Sequence, residues 1–132
     1  MERQKKIIDA SVIVKWFIVE EKTKEALKIQ EEHIQNKIDL IVPEITFIEV
    51  INALKYKKKS DKYLFEANSY LWNFQFHIER INQFILDKAI ELSIKYNLSL
   101  YDGIYAALAQ INGCELITAD EKLSKIPQGK RL

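Results

Sequence analysis

Residues 98–120 read Leu-Ser-Leu-Tyr-Asp-Gly-Ile-Tyr-Ala-Ala-Leu-Ala-Gln-Ile-Asn-Gly-Cys-Glu-Leu-Ile-Thr-Ala-Asp. The stretch predicts a helix followed at once by a short buried strand. Ser99 suits the N-cap, because its hydroxyl accepts from a backbone N–H of the first turn. Ile104, Leu108 and Ile111 recur at helical spacing, and Ala106, Ala107 and Ala109 favour helix while allowing close packing. Asn112-Gly113 ends the helix, Gly113 being free to adopt a left-handed conformation. Cys114 to Thr118 is short, apolar and partly β-branched, the pattern of a strand covered on both faces.

Two carboxylates bracket this unit, Asp102 in the first helical turn and Asp120 just past the strand. In an α/β fold the carboxyl ends of the strands share an edge with the helix starts that follow them, and ligands bind there. A helix running antiparallel to its strand puts Asp102 on the same edge as Asp120. Each also has a structural reading. Asp102 is a capping-box partner for Ser99, a cap that costs about 0.5–2 kcal/mol to remove, and Asp120 caps Glu121-Lys122-Leu123. Other acids arriving at the same edge decide between the readings.

Outward from this unit the chain alternates strand and helix. Lys5 to Ala10 reads as a strand ending at Asp9, and Ser11 then opens a helix through Val12 to Ile18. β-Branched residues there would extend the strand, but Asp9-Ala10-Ser11 supplies a break and a cap. Thr23 to Asn36 is an amphipathic helix, Ile38 to Val42 a second buried strand, and Glu44 to Lys57 a helix opened by Pro43. Asp61 to about Gln75 is helical, Phe76 to Ile81 a third strand, and Ile85 to Tyr96 a helix. Glu121 to Lys125 makes one helical turn, and Lys130-Arg131-Leu132 adds an edge strand. This alternation predicts an α/β fold, a mostly parallel central sheet flanked by helices. No linker or repeat divides the 132 residues, so one domain over 1–132 is expected.

Composition removes several function classes. The formal net charge of +1 is not that of a strongly basic nucleic-acid coat, though it leaves room for a local basic patch. No apolar run approaches the roughly 20 residues that span a membrane, so no membrane partner is expected. Met1 to Lys6 lacks the long apolar segment of a secretory signal. Cys114 alone cannot form an internal disulfide, which fits a reducing, cytoplasmic setting. His33 and His77 show no zinc spacing with Cys114, and the three glycines make no phosphate-binding loop.

Glu49 stands between Ile48 and Val50 on an apolar helix surface, where a carboxylate is costly to bury without a partner. With it, four carboxylates occupy comparable places: Asp9 at the end of strand one, Glu49 on the helix after strand two, Asp102 at a late helix start and Asp120 after a late strand. Clustered acids repel, raising their pKa values unless a cation neutralises them. An oxygen-only donor set favours Mg²⁺ or Mn²⁺ over zinc. The tract Lys55-Tyr-Lys-Lys-Lys-Ser-Asp-Lys62 is a solvated helix end or a phosphate contact, with Lys57, Lys58 and Lys59, and separately Lys15, as candidate RNA-binding residues.

Four stretches in order resemble the motifs of the PIN-domain family, and within it the small VapC-type toxins. They are Ile-Ile-Asp-Ala-Ser-Val-Ile-Val-Lys-Trp-Phe (7–17), Pro-Glu-Ile-Thr-Phe-Ile-Glu-Val-Ile-Asn-Ala-Leu (43–54), Leu-Ser-Leu-Tyr-Asp-Gly-Ile-Tyr-Ala-Ala-Leu-Ala (98–109) and Leu-Ile-Thr-Ala-Asp-Glu-Lys-Leu (116–123). The resemblance implies that Asp9, Glu49, Asp102 and Asp120 are catalytic metal-binding acids, with Ser11 and Thr118 as supporting hydroxyls. It implies metal-dependent hydrolysis of RNA to 5′-phosphate and 3′-hydroxyl products by the toxin of a type II toxin–antitoxin pair. It further implies a cognate antitoxin partner and a homodimer. A PIN-like metal-binding scaffold without turnover and a Mg²⁺-dependent nuclease or phosphohydrolase acting on DNA are the alternatives.

Overall fold

In the computed structural model, which describes residues 3–132, the apolar runs become parallel strands. The order is β1 (Gln4–Ile8), α1 (Ala10–Val14), α2 (Thr23–Ile34), β2 (Ile38–Pro43), α3 (Ile45–Tyr56), α4 (Asp61–Asn73), β3 (His77–Glu79), α5 (Gln83–Tyr96), α6 (Leu100–Asn112), β4 (Glu115–Thr118), α7 (Glu121–Ser124) and β5 (Gly129–Arg131). Among the described residues these strands form one sheet in the order β3-β2-β1-β4-β5, every pairing parallel. Met1 and Glu2, the first residues of the N-terminal segment read above, lie outside the described residues.

The central strand explains the layering. Ile7 pairs with Ile41 on one side and Leu116 on the other. Successive side chains of a strand face opposite ways. Thus Ile8, Leu40, Val42 and Ile117 enter one core with α1, α3 and α4, while Ile7, Ile41 and Leu116 enter another with α5 and α6. A sheet covered on both faces needs apolar side chains on both, which is why Ile7-Ile8, Leu40-Ile41-Val42 and Leu116-Ile117 read as unbroken apolar runs. The pairing of α5 with α6 is close: a Cβ on Gly103 would lie 2.6 Å from the Ala89 carbonyl oxygen. Glycine there lets the two helices touch and fixes the helix start that carries Asp102.

Several boundaries differ from the sequence expectation. The helix after β1 covers only Ala10–Val14, with Asp9 rather than Ser11 at the N-cap position. The Ser11 hydroxyl is drawn elsewhere, to the Asp9 carboxylate and the Ala119 amide. The chain turns after Val14, which lets the Trp16 indole N–H donate to the Ala26 carbonyl (2.9 Å) and stack beside Phe76. α4 starts at Asp61 as expected, with Ser60 as its cap accepting from the Tyr63 amide (3.2 Å), but ends at Asn73 rather than about Gln75. β3 is only three residues long, His77–Glu79 against Phe76 to Ile81 expected, and it pairs with the last three residues of β2, Ile41 to Pro43. β5 begins at Gly129, one residue earlier than expected, and ends at Arg131.

Candidate functional site

The carboxyl ends of β1, β2 and β4 open onto one edge, and α6 delivers its N-terminus there from the opposite direction. Asp9 follows β1 directly. Its Oδ1 accepts from the Ser11 hydroxyl (2.5 Å) and its Oδ2 from the Thr118 hydroxyl (2.6 Å). Those hydroxyls in turn accept from backbone amides, Ser11 from Ala119 and Thr118 from Asp120, each at 3.0 Å. The start of α1 is thereby tied to the end of β4. Asp9 is only 5% exposed. Burial pushes its pKa up to about 6; the two hydroxyl bonds hold it down, and the charge of Asp102 adds to the rise.

The other three acids gather around Asp102. Ser99 caps α6 by accepting from the Asp102 amide (3.1 Å), so the structural reading of the cap is realised through the backbone. The Asp102 carboxyl is raised by partial burial and then by the charge of Asp120, with Lys122 opposing. Glu49, one turn into α3 and half-buried, is raised by burial and by Asp102, and is held down by a hydrogen bond from Tyr105. Asp120 spends one oxygen, Oδ2, as the cap of α7, accepting from the Leu123 amide (2.7 Å). Asp102 therefore feels the other three carboxylates, although no three His, Cys, Asp or Glu side chains among the described residues converge into a ready-made ion cage. An all-oxygen, mutually repelling donor set fits a hard divalent ion; Mg²⁺ in particular keeps several waters and needs only one or two carboxylates held directly.

A family model described as PIN domain matches residues 6–129. The chain belongs to the PIN-domain family. It is 28% identical over 127 residues to Ribonuclease VapC3 of Pyrobaculum aerophilum, covering 92% of this chain and 93% of that protein. Solved structures share the fold. A Pyrobaculum aerophilum crystal structure matches with a TM-score of 0.69 at 19% identity, over 97% of this chain and 89% of that one. A chain of a toxin–antitoxin complex from Klebsiella pneumoniae matches at 0.64 and 24% identity, over 96% and 94%. Mycobacterium tuberculosis VapC20, described as a sarcin–ricin loop cleaving toxin, matches at 0.71 and 12%, over 90% and 92%.

The candidate lysines of this PIN domain do not form one group. Lys15 is buried, its ammonium donating to Glu20 Oε1 (3.1 Å) and to the Glu21 carbonyl (2.7 Å). Engaged in this way, its charge is already paired within the protein. Lys57 and Lys58 are exposed at the far end of α3, Lys57 lying 3.7 Å from Glu20 Oε2. Lys57 is eight residues beyond Glu49, about 12 Å along a helix. Lys59 lies over the Tyr63 ring, 5.0 Å from its centroid.

Two residues that the sequence reading passed over belong to the site. Tyr105 donates to Glu49 Oε1 at 2.7 Å, and its oxygen lies 2.7 Å from the Thr46 hydroxyl. Thr46 and Glu49 stand three apart on α3, as do Asp102 and Tyr105 on α6, so each pair shares a helix face. That spacing was the available signal. A buried tyrosine also needs a partner for its hydroxyl, which a wholly apolar helix face does not supply.

Proposed function

We propose that this PIN domain hydrolyses RNA phosphodiester bonds with Mg²⁺ or Mn²⁺, as the toxin of a type II toxin–antitoxin pair acting in the cytoplasm. The observation that carries the reading is Asp9: a carboxylate buried behind two hydroxyls, raised to about 6, and facing three further acids through Asp102. Buried, repelling acids are costly unless their charge is used. Similarity to a protein named Ribonuclease VapC3 supports the choice of RNA. Among the described residues no helix is long and apolar enough to cross a membrane.

Asp9, Glu49, Asp102 and Asp120 would hold the ion, directly or through water. Bound there, a divalent ion lowers the pKa of water and stabilises charge on the attacked phosphoryl group. Ser11 and Thr118 keep Asp9 oriented by filling one side of each carboxylate oxygen. Glu49, half-buried with its pKa raised by burial, would take a proton from an attacking water. Lys122, whose charge opposes the rise at Asp102, is available to a substrate phosphate.

The antitoxin belongs to a different surface. A groove of about 660 Å³ between α3 and α4 is lined by Ile48, Ile51, Leu64, Phe65 and Trp72, with Phe47 at its floor. Ile48 and Phe65 are more than two-thirds exposed. An apolar helix of the antitoxin fits such a groove, and an arginine or lysine beyond it would match the carboxylates.

Cleavage of single-stranded RNA, with single-stranded DNA in parallel, tests the reading in saturating Mn²⁺ and in EDTA. RNA is expected to be cut only with metal. Asp102→Asn is expected to lose roughly 100-fold or more, because removing support from a metal ligand already costs 10–100-fold. As a first-turn helix residue alone, Asp102 would tolerate this near-isosteric change. Near wild-type turnover in a folded Asp102→Asn protein overturns the site, and preferential cutting of DNA overturns the substrate.

A further inference from the structure

The hydrogen bonds around Tyr105 have one consistent arrangement. A phenol has a single hydrogen, and an ionised carboxylate can only accept. The hydrogen of Tyr105 goes to Glu49 Oε1, so the Thr46 hydroxyl donates to the phenol oxygen. The chain Thr46 to Tyr105 to Glu49 is therefore directional and leaves no buried side-chain polar atom unpaired. Tyr105 is 1% exposed and packed within α6, so its ring has no freedom to follow a moving carboxylate. Helical side chains lean toward the N-terminus, which brings the phenol back toward the turn holding Asp102. One oxygen of Glu49 is thus pinned to α6 beside Asp102, and the other, Oε2, has no protein partner among the described residues.

We propose that Tyr105, braced by Thr46, is the positioning residue that holds Glu49 against the Asp102 turn with a single free oxygen, and so sets the divalent-ion affinity of the site. The inference rests on the four-acid reading above. It makes the cross-link between α3 and α6, rather than either helix alone, the element that organises the donors. Two helices that share one hydrogen-bonded carboxylate cannot drift apart without releasing it.

The test is the midpoint of the Mn²⁺-dependent rise in melting temperature, measured on the full chain for wild type, Tyr105→Phe, Glu49→Gln and the double variant. Tyr105→Phe keeps the ring and removes the bond to Glu49. Its midpoint is expected to rise 10–100-fold, the usual cost of losing the partner that orients a ligand. Combined with Glu49→Gln it should add little, since it acts through Glu49; independent effects would multiply. Thr46→Val, which removes only the brace, should shift the midpoint in the same direction by less. It decides the matter if Tyr105→Phe does not fold. A wild-type midpoint in Tyr105→Phe, or full multiplicativity with Glu49→Gln, overturns the inference. An unshifted midpoint in Glu49→Gln instead overturns the four-acid reading beneath it.

Discussion

Asp9→Asn in the metal-free protein isolates the cost of holding a charged carboxylate inside the site. The Asp9 pKa rises from an ordinary 3.8 to about 6, roughly two units. At 1.36 kcal/mol per unit, ionising it at pH 7 destabilises the fold by about 3 kcal/mol. The sign follows from the rise: the folded state holds its proton more tightly than the unfolded chain. Its contribution is therefore complete below 3.8 and is lost as the pH climbs through about 6. Some of the gain from the amide is offset, because the Ser11 and Thr118 hydroxyls both point hydrogens at Asp9 and one must turn to accept; that costs about 1 kcal/mol. Asp9→Asn should thus be more stable than wild type at pH 7 in EDTA by about 2 kcal/mol, or roughly 5–10 °C in melting temperature.

The assay is a set of thermal melts in EDTA from pH 5 to pH 7, read as the difference between variant and wild type. Other titrating groups, His33 among them, are present in both proteins and largely cancel. The difference should shrink by about 1–1.5 kcal/mol toward pH 5, where wild-type Asp9 is mostly protonated. Saturating Mn²⁺ should reverse the order at pH 7, since only the ionised site gains by mass action. A difference that stays constant from pH 5 to pH 7 would refute the argument from burial.

His33 should set a second, opposite pH dependence. Its Nδ1 accepts from the Leu40 amide (3.1 Å) and its Nε2–H donates to the Gln75 carbonyl (3.2 Å), so only the neutral ring serves both. Burial lowers its pKa, opposed by the Gln75 and Phe74 carbonyls and Asp39, with Arg3 acting alongside burial. That contribution is present above the unfolded value of about 6.5 and fades as the pH falls below it; in EDTA, His33→Gln should melt lower than wild type at pH 7.5 and lose less between pH 7.5 and 5.5. For the groove, co-expression with a neighbouring small gene product should yield a stable, inactive complex, and Phe65→Glu together with Trp72→Glu should abolish it. A complex that survives both changes puts the partner elsewhere.

The fold was legible wherever one-dimensional signals coincide with three-dimensional ones. Ile7-Ile8 and Leu116-Ile117 are adjacent apolar pairs because each residue faces a different core, and that pattern is visible without a structure. Asp9, Asp102 and Asp120 were legible because each sits at a boundary marked by a strand end or a cap. The length of α1 was not: Val12, Ile13 and Val14 suit strand as well as helix, and the helix stops where Trp16 must reach α2. The burial of Lys15 was not legible either, since it depends on Glu20 and a carbonyl folding back over it. Tyr105 was hidden for a related reason. It reads as one more apolar residue on its helix face, and its partner Glu49 lies 56 positions away.

The bond between Asp9 and Thr118 spans 109 positions of the chain. During synthesis β4, which must slot in beside β1, emerges long after Asp9. At about 5–20 residues per second, roughly 5–20 s separate the two. For the later part of that interval the nascent chain carries Asp9 and Glu49 but lacks the strand that carries Thr118 and leads to Asp120. A chain released before Glu115 would have β1, β2 and β3 without the neighbour that completes the edge. For an enzyme of the proposed kind, the order of the strands is a built-in delay: until β4 has emerged, the nascent chain can neither tie Asp9 to Thr118 nor bring Asp120 to the edge.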